Sequence, residues 1–248
     1  MNQDIRNAAG ERLDYSFATG AEDHHHEGWI VVLGHGVTGD KDRPLMIATA
    51  AALNAAGFDT LRISFSGNGD SEGDFRASTI SKELDDLGAV LDVAAKSYAK
   101  IAYVGHSMGA AVGVLRTAHD DRIRALVSLA GMVDTKAFAE TEFGDVTPDE
   151  GLMWDDEDCP LSTAYYTDLT QTIVSTSAAA EQITAPWLLV HGTADDVVLP
   201  RDTEQIQLLK RDFVEVAFIE GADHVFSDAA HSEAATTRVS SWLTEQVK

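Results

Sequence analysis

Apolar residues recur along this chain in two alternating patterns: short unbroken runs, and longer stretches in which they return every third or fourth position. The runs Trp29-Ile30-Val31-Val32-Leu33, Ile101-Ala102-Tyr103-Val104, Ala125 to Ala130 and Pro186 to Val190 are strand-length, and Asp59 to Phe65 and Val214 to Ile219, with polar residues interspersed, read as further strands. Runs without polar alternation are expected of strands buried on both faces of a mostly parallel sheet. Leu13 to Ala18 reads as a first edge strand.

Helical patterns lie between these runs. Pro44 to Ala56 carries proline in its first turn and Gly57 past its end, as helix termini favour. Ile80, Leu84, Leu87, Leu91 and Ala94 line one face of a second helix, and the Asp85-Asp86 pair beside them is expected to be solvated surface. Small residues follow Gly109, and further helices are predicted over Arg201 to Arg211 and Ala229 to Gln246. Repeated alternation of strand and helix predicts an α/β fold, a doubly wound sheet flanked by helices in one domain over 1–248. The rhythm breaks from about 132 to 182, where Phe138, Phe143, Met153, Trp154, Tyr165 and Tyr166 stand among many acids and no strand is evident. So long a connection is expected to form a cap or lid; its aromatics either shape a substrate pocket or anchor the excursion.

Composition narrows the function classes. The chain has 41 Asp and Glu against 18 Lys and Arg, a net charge of −23, which repels nucleic-acid backbones and anionic lipid. No apolar run approaches the roughly 20 residues of a membrane span, the first 16 residues are too polar for a signal peptide, and Cys159 stands alone. The expectation is a cytoplasmic protein without disulfides, nucleic acid or membrane as partners. A small-molecule substrate is the expected partner, with a homodimer as an option.

The chemistry concentrates at Gly105-His106-Ser107-Met108-Gly109, between a strand-length run and a helical one. A glycine-flanked serine in a strand-to-helix turn is the nucleophile elbow, in which the neighbours two before and two after must be nearly without side chain. Ser107 is therefore the candidate nucleophile. Gly34-His35-Gly36-Val37-Thr38-Gly39 leaves another strand's carboxyl end, where ligands bind in open α/β sheets. The N–H groups of Val37 and of Met108 are the candidate oxyanion donors. Asp195 and His224 each follow a later strand, so serine, acid and histidine come in the chain order of the hydrolase triad. Asp196 and Asp134 are rival acids, while His191 and His106 are expected to order loops. His24-His25-His26 reads as an exposed polar loop, since three consecutive imidazoles converge poorly on one metal ion.

These motifs, with Ser66-Gly67-Asn68-Gly69-Asp70-Ser71-Glu72-Gly73 and Gly221-Ala222-Asp223-His224, make the chain resemble the α/β-hydrolase superfamily over nearly its whole length. Within it, the chain is similar to bacterial serine esterases of the feruloyl/cinnamoyl type. Asn68 stands where such enzymes often have His, Ser64 where an Asp is common, and Met108 where many have Gln. The resemblance implies ester hydrolysis through an acyl-serine intermediate, no cofactor or metal, and a small cap between the sixth and seventh core strands. Trp154, Tyr165 and Tyr166 are then the candidate substrate contacts on the cap. The same machinery serves amidases, peptidases and thioesterases, and a closed cap would leave a non-catalytic ligand-binding member of the fold.

Overall fold

The computed structural model describes residues 3–247. Its strands are β1 (Tyr15–Ala18), β2 (Trp29–Gly34), β3 (Asp59–Ile63), β4 (Lys100–His106), β5 (Ile123–Leu129), β6 (Trp187–Gly192) and β7 (Val214–Ile219). They form one seven-stranded sheet in the order β1-β3-β2-β4-β5-β6-β7. All neighbours run parallel except the antiparallel edge pair β1 and β3. The helices, in chain order, are α1 (Pro44–Ala55), α2 (Ile80–Ala94), α3 (Met108–Thr117), α4 (Thr135–Phe143), α5 (Thr163–Thr167), α6 (Ser177–Gln182), α7 (Arg201–Lys210) and α8 (Ala229–Gln246).

The unbroken apolar runs are explained by helices on both faces. Successive strand residues point to opposite sides, so Ile30, Val32, Ile101, Tyr103 and Leu189 join α2, α3 and α7 in one core. Val31, Leu33, Ala102, Val104 and Leu188 join α1 and α8 in the other. Burying both faces excludes water from all the inner backbone ladders, which is why those strands carry no polar alternation.

The chain places β3 on one side of β2 and then crosses to put β4 on the other. The segments leaving β2 and β4 therefore part at a topological switch point, where open α/β sheets bind ligands. In the register Gly34 lies opposite Gly105, so the glycine loop and the elbow leave the sheet side by side. A Cβ on Gly109 would lie 2.3 Å from the carbonyl oxygen of His35, and one on Gly105 would lie 2.4 Å from that of Gly109. Only glycine allows α3 to start this close to the loop.

Between β5 and β6 stands the long excursion, which holds α4, α5, α6, a 3-10 turn at Met153–Asp155 and a π turn at Asp168–Ile173. It leaves the fifth strand of the described sheet and rejoins at the sixth, rather than the sixth and seventh, because a single edge strand precedes the parallel set. Phe143, Met153, Leu161, Tyr165 and Leu169 bury into the same core as α2 and α3. Asp168 accepts hydrogen bonds from the Ser81 N–H and hydroxyl at the start of α2, at 3.0 and 2.6 Å.

The expectation of a solvated Asp85-Asp86 pair is half wrong. Asp85 is exposed, whereas Asp86 is buried and accepts from the Ser66 N–H and the Asn7 amide, both at 2.8 Å. The loop after β3 and the N-terminal segment cover that side of α2, and such tertiary cover does not register in helical spacing. Glu83, one turn earlier, is also fully buried; one carboxylate oxygen meets the Ser78 hydroxyl at 3.3 Å and the other has no partner. Among the described residues no helix is long and apolar enough to cross a membrane.

Two outcomes follow from this packing. Gly109→Ala should lower stability by about 1–3 kcal/mol, the usual cost of overpacking, read from urea unfolding. Burial, and next the nearby Asp86 charge, holds the Glu83 carboxyl well above its ordinary pKa of 4.5. The folded protein thus binds that proton more tightly than the unfolded chain, so stability is full below the ordinary pKa and falls as pH rises. Glu83→Gln, neutral throughout, should lose less stability than the native protein between about pH 5 and about pH 8; equal losses would show that Glu83 is not the titrating group.

Candidate active site

Ser107 sits between β4 and α3 with φ 53° and ψ −118°. A non-glycine residue at positive φ costs on the order of 1–3 kcal/mol and persists only when its surroundings over-determine it. Here both backbone groups are tied to the end of β5: the Ser107 N–H donates to the Leu129 carbonyl at 2.9 Å, and its own carbonyl accepts from Met132 N–H at 3.2 Å. The side chain does not cap α3. Ser107 lines the cavity, and its Oγ makes no hydrogen bond among the described residues.

His224 follows β7, and its Nδ1 lies 2.8 Å from Asp195 Oδ2. An ionised carboxylate only accepts, so Nδ1 carries the proton in that bond. Asp195 is buried, in the loop after β6. Its other oxygen accepts from the N–H groups of Val197 and Val198 at 3.0 and 2.9 Å. Burial would push its pKa up, but hydrogen bonds from His191 and His224 prevail and hold it far below the usual carboxylate range. Of the three acids open from the sequence, only Asp195 meets His224: Asp196 is exposed, and Asp134 caps α4 through the Ala137 N–H at 2.9 Å.

The two other histidines of these motifs hold backbone. His191 Nε2 faces the Val198 carbonyl at 2.8 Å, which fixes it as the protonated nitrogen, and also lies 3.1 Å from Asp195 Oδ2. Its Nδ1 then accepts from the Thr203 hydroxyl at 2.8 Å. His106 Nε2 donates to the His224 carbonyl at 2.9 Å, and burial, then the nearby His224, pushes its pKa down to about 3. His35 is likewise pushed down to about 4 by burial; it donates from Nδ1 to the Gly36 carbonyl at 2.8 Å and accepts the Phe65 N–H at 3.0 Å. A neutral imidazole thus braces the glycine loop against the end of β3.

Met108 is the first residue of α3, where N–H groups have no partner within the helix. Among the described residues neither its N–H nor that of Val37 finds a protein acceptor. Both are free to donate to a bound oxygen. Ser107, His224 and Val37 all line one mostly apolar cavity of about 810 Å³.

Of the aromatic candidates on the excursion, Trp154 reaches this cavity together with Phe138. Trp154 has φ 50°, its ring packs edgewise on Phe143 at 4.9 Å, and its Nε1 donates to Glu142 at 2.8 Å. Tyr165 and Tyr166 are not on the cavity wall. The Tyr165 side chain is buried beneath the excursion with its hydroxyl 3.5 Å from the sulfur of Met108, and Tyr166 packs on the same core, so these two anchor. Sequence reasoning missed Arg43, Leu45 and Met46 from the start of α1 and Val225 and Phe226 after β7, all of which line the cavity. Their signal was faint, since nothing but adjacency to the glycine loop and to His224 marks them.

The three consecutive histidines diverge. His24 Nε2 meets the Ala55 carbonyl at 2.7 Å, His25 Nε2 meets Asp59 at 2.8 Å, and His26 packs on the Phe58 ring at 4.4 Å. Among the described residues no group of three metal-ligating side chains is found.

Comparison with known proteins agrees with this architecture. Residues 46–248 match the prolyl oligopeptidase family, peptidase family S9. Among solved structures, Est1E from Butyrivibrio proteoclasticus with ferulic acid bound is similar at 26% identity and a TM-score of 0.87, over 99% of each chain. A second Est1E structure aligns at 25% identity and a TM-score of 0.81, over 98% of this chain and 97% of that one. The monoacylglycerol lipase of Paleococcus ferrophilus shares the fold at 22% identity and a TM-score of 0.73, over 94% of this chain and 99% of that one. No curated protein matches the chain. With a switch-point serine in a strained elbow and a family match over most of its length, the chain belongs to the prolyl oligopeptidase family and is a serine hydrolase of carboxylesterase-like build on the α/β-hydrolase fold.

Proposed function

We propose that the protein hydrolyses carboxylic esters of small or aromatic acyl groups, hydroxycinnamates among them, through an acyl intermediate on Ser107. The observation that carries this reading is the shared cavity of Ser107, His224 and Val37, with Asp195 hydrogen-bonded behind His224 at 2.8 Å. Ser107 Oγ attacks the ester carbonyl and its proton passes to His224 Nε2. Asp195 holds the imidazole in the accepting tautomer and stabilises its protonated form. The Val37 and Met108 N–H groups take the developing oxyanion, a contribution worth about 2.7–4 kcal/mol for each donor in comparable sites. The C–O bond to the alcohol breaks and His224 returns the proton to the leaving oxygen. Water then attacks the acyl-serine, His224 takes its proton, and the acid leaves as Ser107 is restored.

Two features support an aromatic or small acyl group. The cavity of about 810 Å³ has apolar walls with Phe138 and Trp154 on the excursion side, and the similar Est1E structure was solved with ferulic acid. A second reading, peptide or amide cleavage by the same groups, is favoured by the family match itself. Its discriminator is the rate on aminoacyl p-nitroanilides against p-nitrophenyl esters of matched acyl groups.

The deciding experiment is hydrolysis of p-nitrophenyl esters from acetate to laurate, with methyl ferulate alongside. Ser107→Ala should lose at least about 1,000-fold in kcat, since removing the nucleophile removes the covalent route. Asp195→Asn should fall by about 100- to 10,000-fold with little change in KM, because an amide accepts through one atom only: with its oxygen toward the Val197 and Val198 N–H groups, its NH2 faces His224 and leaves the base in the wrong tautomer. Undiminished esterase activity in Ser107→Ala would overturn the mechanism, and anilides cleaved faster than esters would favour the peptidase reading.

A further inference from the structure

The cavity wall has a charge pattern that ester cleavage alone does not require. The chain carries 41 Asp and Glu, yet among the described residues none lines the cavity, and the only Lys or Arg that does is Arg43. An acidic chain would be expected to place several carboxylates on any wall of that extent. Excluding all of them while admitting one arginine leaves Arg43, an exposed residue, as a positive group at the cavity wall of a strongly negative molecule.

Arg43 also stands apart from the basic groups around it. Lys41 is paired with Asp14 and Asp42, and Arg62 with Asp42 at 2.9 Å. Asp40, the other acid nearby in the chain, accepts the Asp42 N–H at 2.6 Å. Arg43 makes no ion pair among the described residues, and its side chain's one hydrogen bond there runs from Nη2 to the Thr38 carbonyl at 2.6 Å. That bond orients the guanidinium on the wall shared with Val37 and Thr38 and leaves its remaining donors for a ligand. A planar guanidinium with paired N–H groups matches a carboxylate bidentately, which a point-charge lysine would not do.

We infer that Arg43 forms an anion subsite that selects esters carrying a free carboxylate apart from the scissile bond. The carboxylate sits either on the acyl part, as in the monoester of a dicarboxylic acid, or on the alcohol part. A surface at −23 repels anions at long range, so recognition of such a substrate has to come from a local contact inside the cavity. This inference rests on the esterase reading above and names the substrate class of the same site.

Two matched pairs test it. The mono-p-nitrophenyl ester of glutarate is compared with p-nitrophenyl valerate, and 4-carboxyphenyl butyrate with phenyl butyrate, in the native protein, Arg43→Gln and Arg43→Lys. The native protein should favour the anionic member of one pair, and the pair that does so tells which side of the ester bears the carboxylate. Arg43→Gln should lower the anionic-to-neutral ratio of kcat/KM by about tenfold or more, mainly through KM, as expected for a charge-assisted hydrogen bond. Arg43→Lys should recover only part of it. An equal fall on both members of each pair would mean that Arg43 merely braces the loop at Thr38, and would overturn the inference, as would a native preference for the neutral esters. If no ester is cleaved at all, the esterase reading fails by itself. The subsite is then decided by calorimetric titration of monomethyl glutarate into Ser107→Ala and into Ser107→Ala with Arg43→Gln, where saturable binding to the first alone supports it and identical behaviour overturns it.

Discussion

The site depends on one close approach, that of the first turn of α3 to the carbonyls at the end of β2. Without side chains at 105 and 109, β4 can end beside β2, turn within one residue and start a helix against the glycine loop. That contact forces Ser107 to positive φ, and the bonds to Leu129 and Met132 keep it there. The strain is local and the support is not: three strands and a helix each supply part of it. This is the arrangement expected where a backbone distortion serves function and the packed scaffold offsets its cost.

A second layer of organisation is electrostatic. Asp195 remains ionised in a buried place because four donors surround it, two backbone N–H groups and two imidazoles. A carboxylate so satisfied is held in position as well as in charge, and it passes that order to His224. His106 and His35 do the opposite job: burial keeps them neutral, so they can brace backbone without adding positive charge beside Ser107 and His224. The same physics leaves Glu83 and Asp86 with raised pKa values behind the loop that follows β3, away from the cavity wall.

The charge distribution of the whole chain bears on the substrate. Acidic side chains dominate the charge of the chain, yet none of the described ones lines the cavity wall, so the cavity differs from the chain as a whole in charge and polarity. Phe138, Trp154, Leu45 and Met46 make much of that wall apolar, with Arg43 at its edge. The excursion supplies two of those walls while its tyrosines tie it to α3 and to the common core.

Periodicity and motif spacing were enough to determine the α/β class, the strand positions, the elbow at Ser107, the loop at Val37 and the positions of Asp195 and His224 relative to strand ends. These features are local: a strand buried on both faces must be apolar throughout, and a one-residue turn into a helix must have glycine on either side. The tertiary structure alone decided which acid meets His224, that Asp86 is buried, that Trp154 lines the cavity while Tyr165 and Tyr166 anchor, and that Arg43 is the one Lys or Arg on its wall among the described residues. Each of these depends on which distant segment covers a given side chain. No pattern within one segment records its cover, because burial and partnership are properties of pairs of segments brought together by the sheet order.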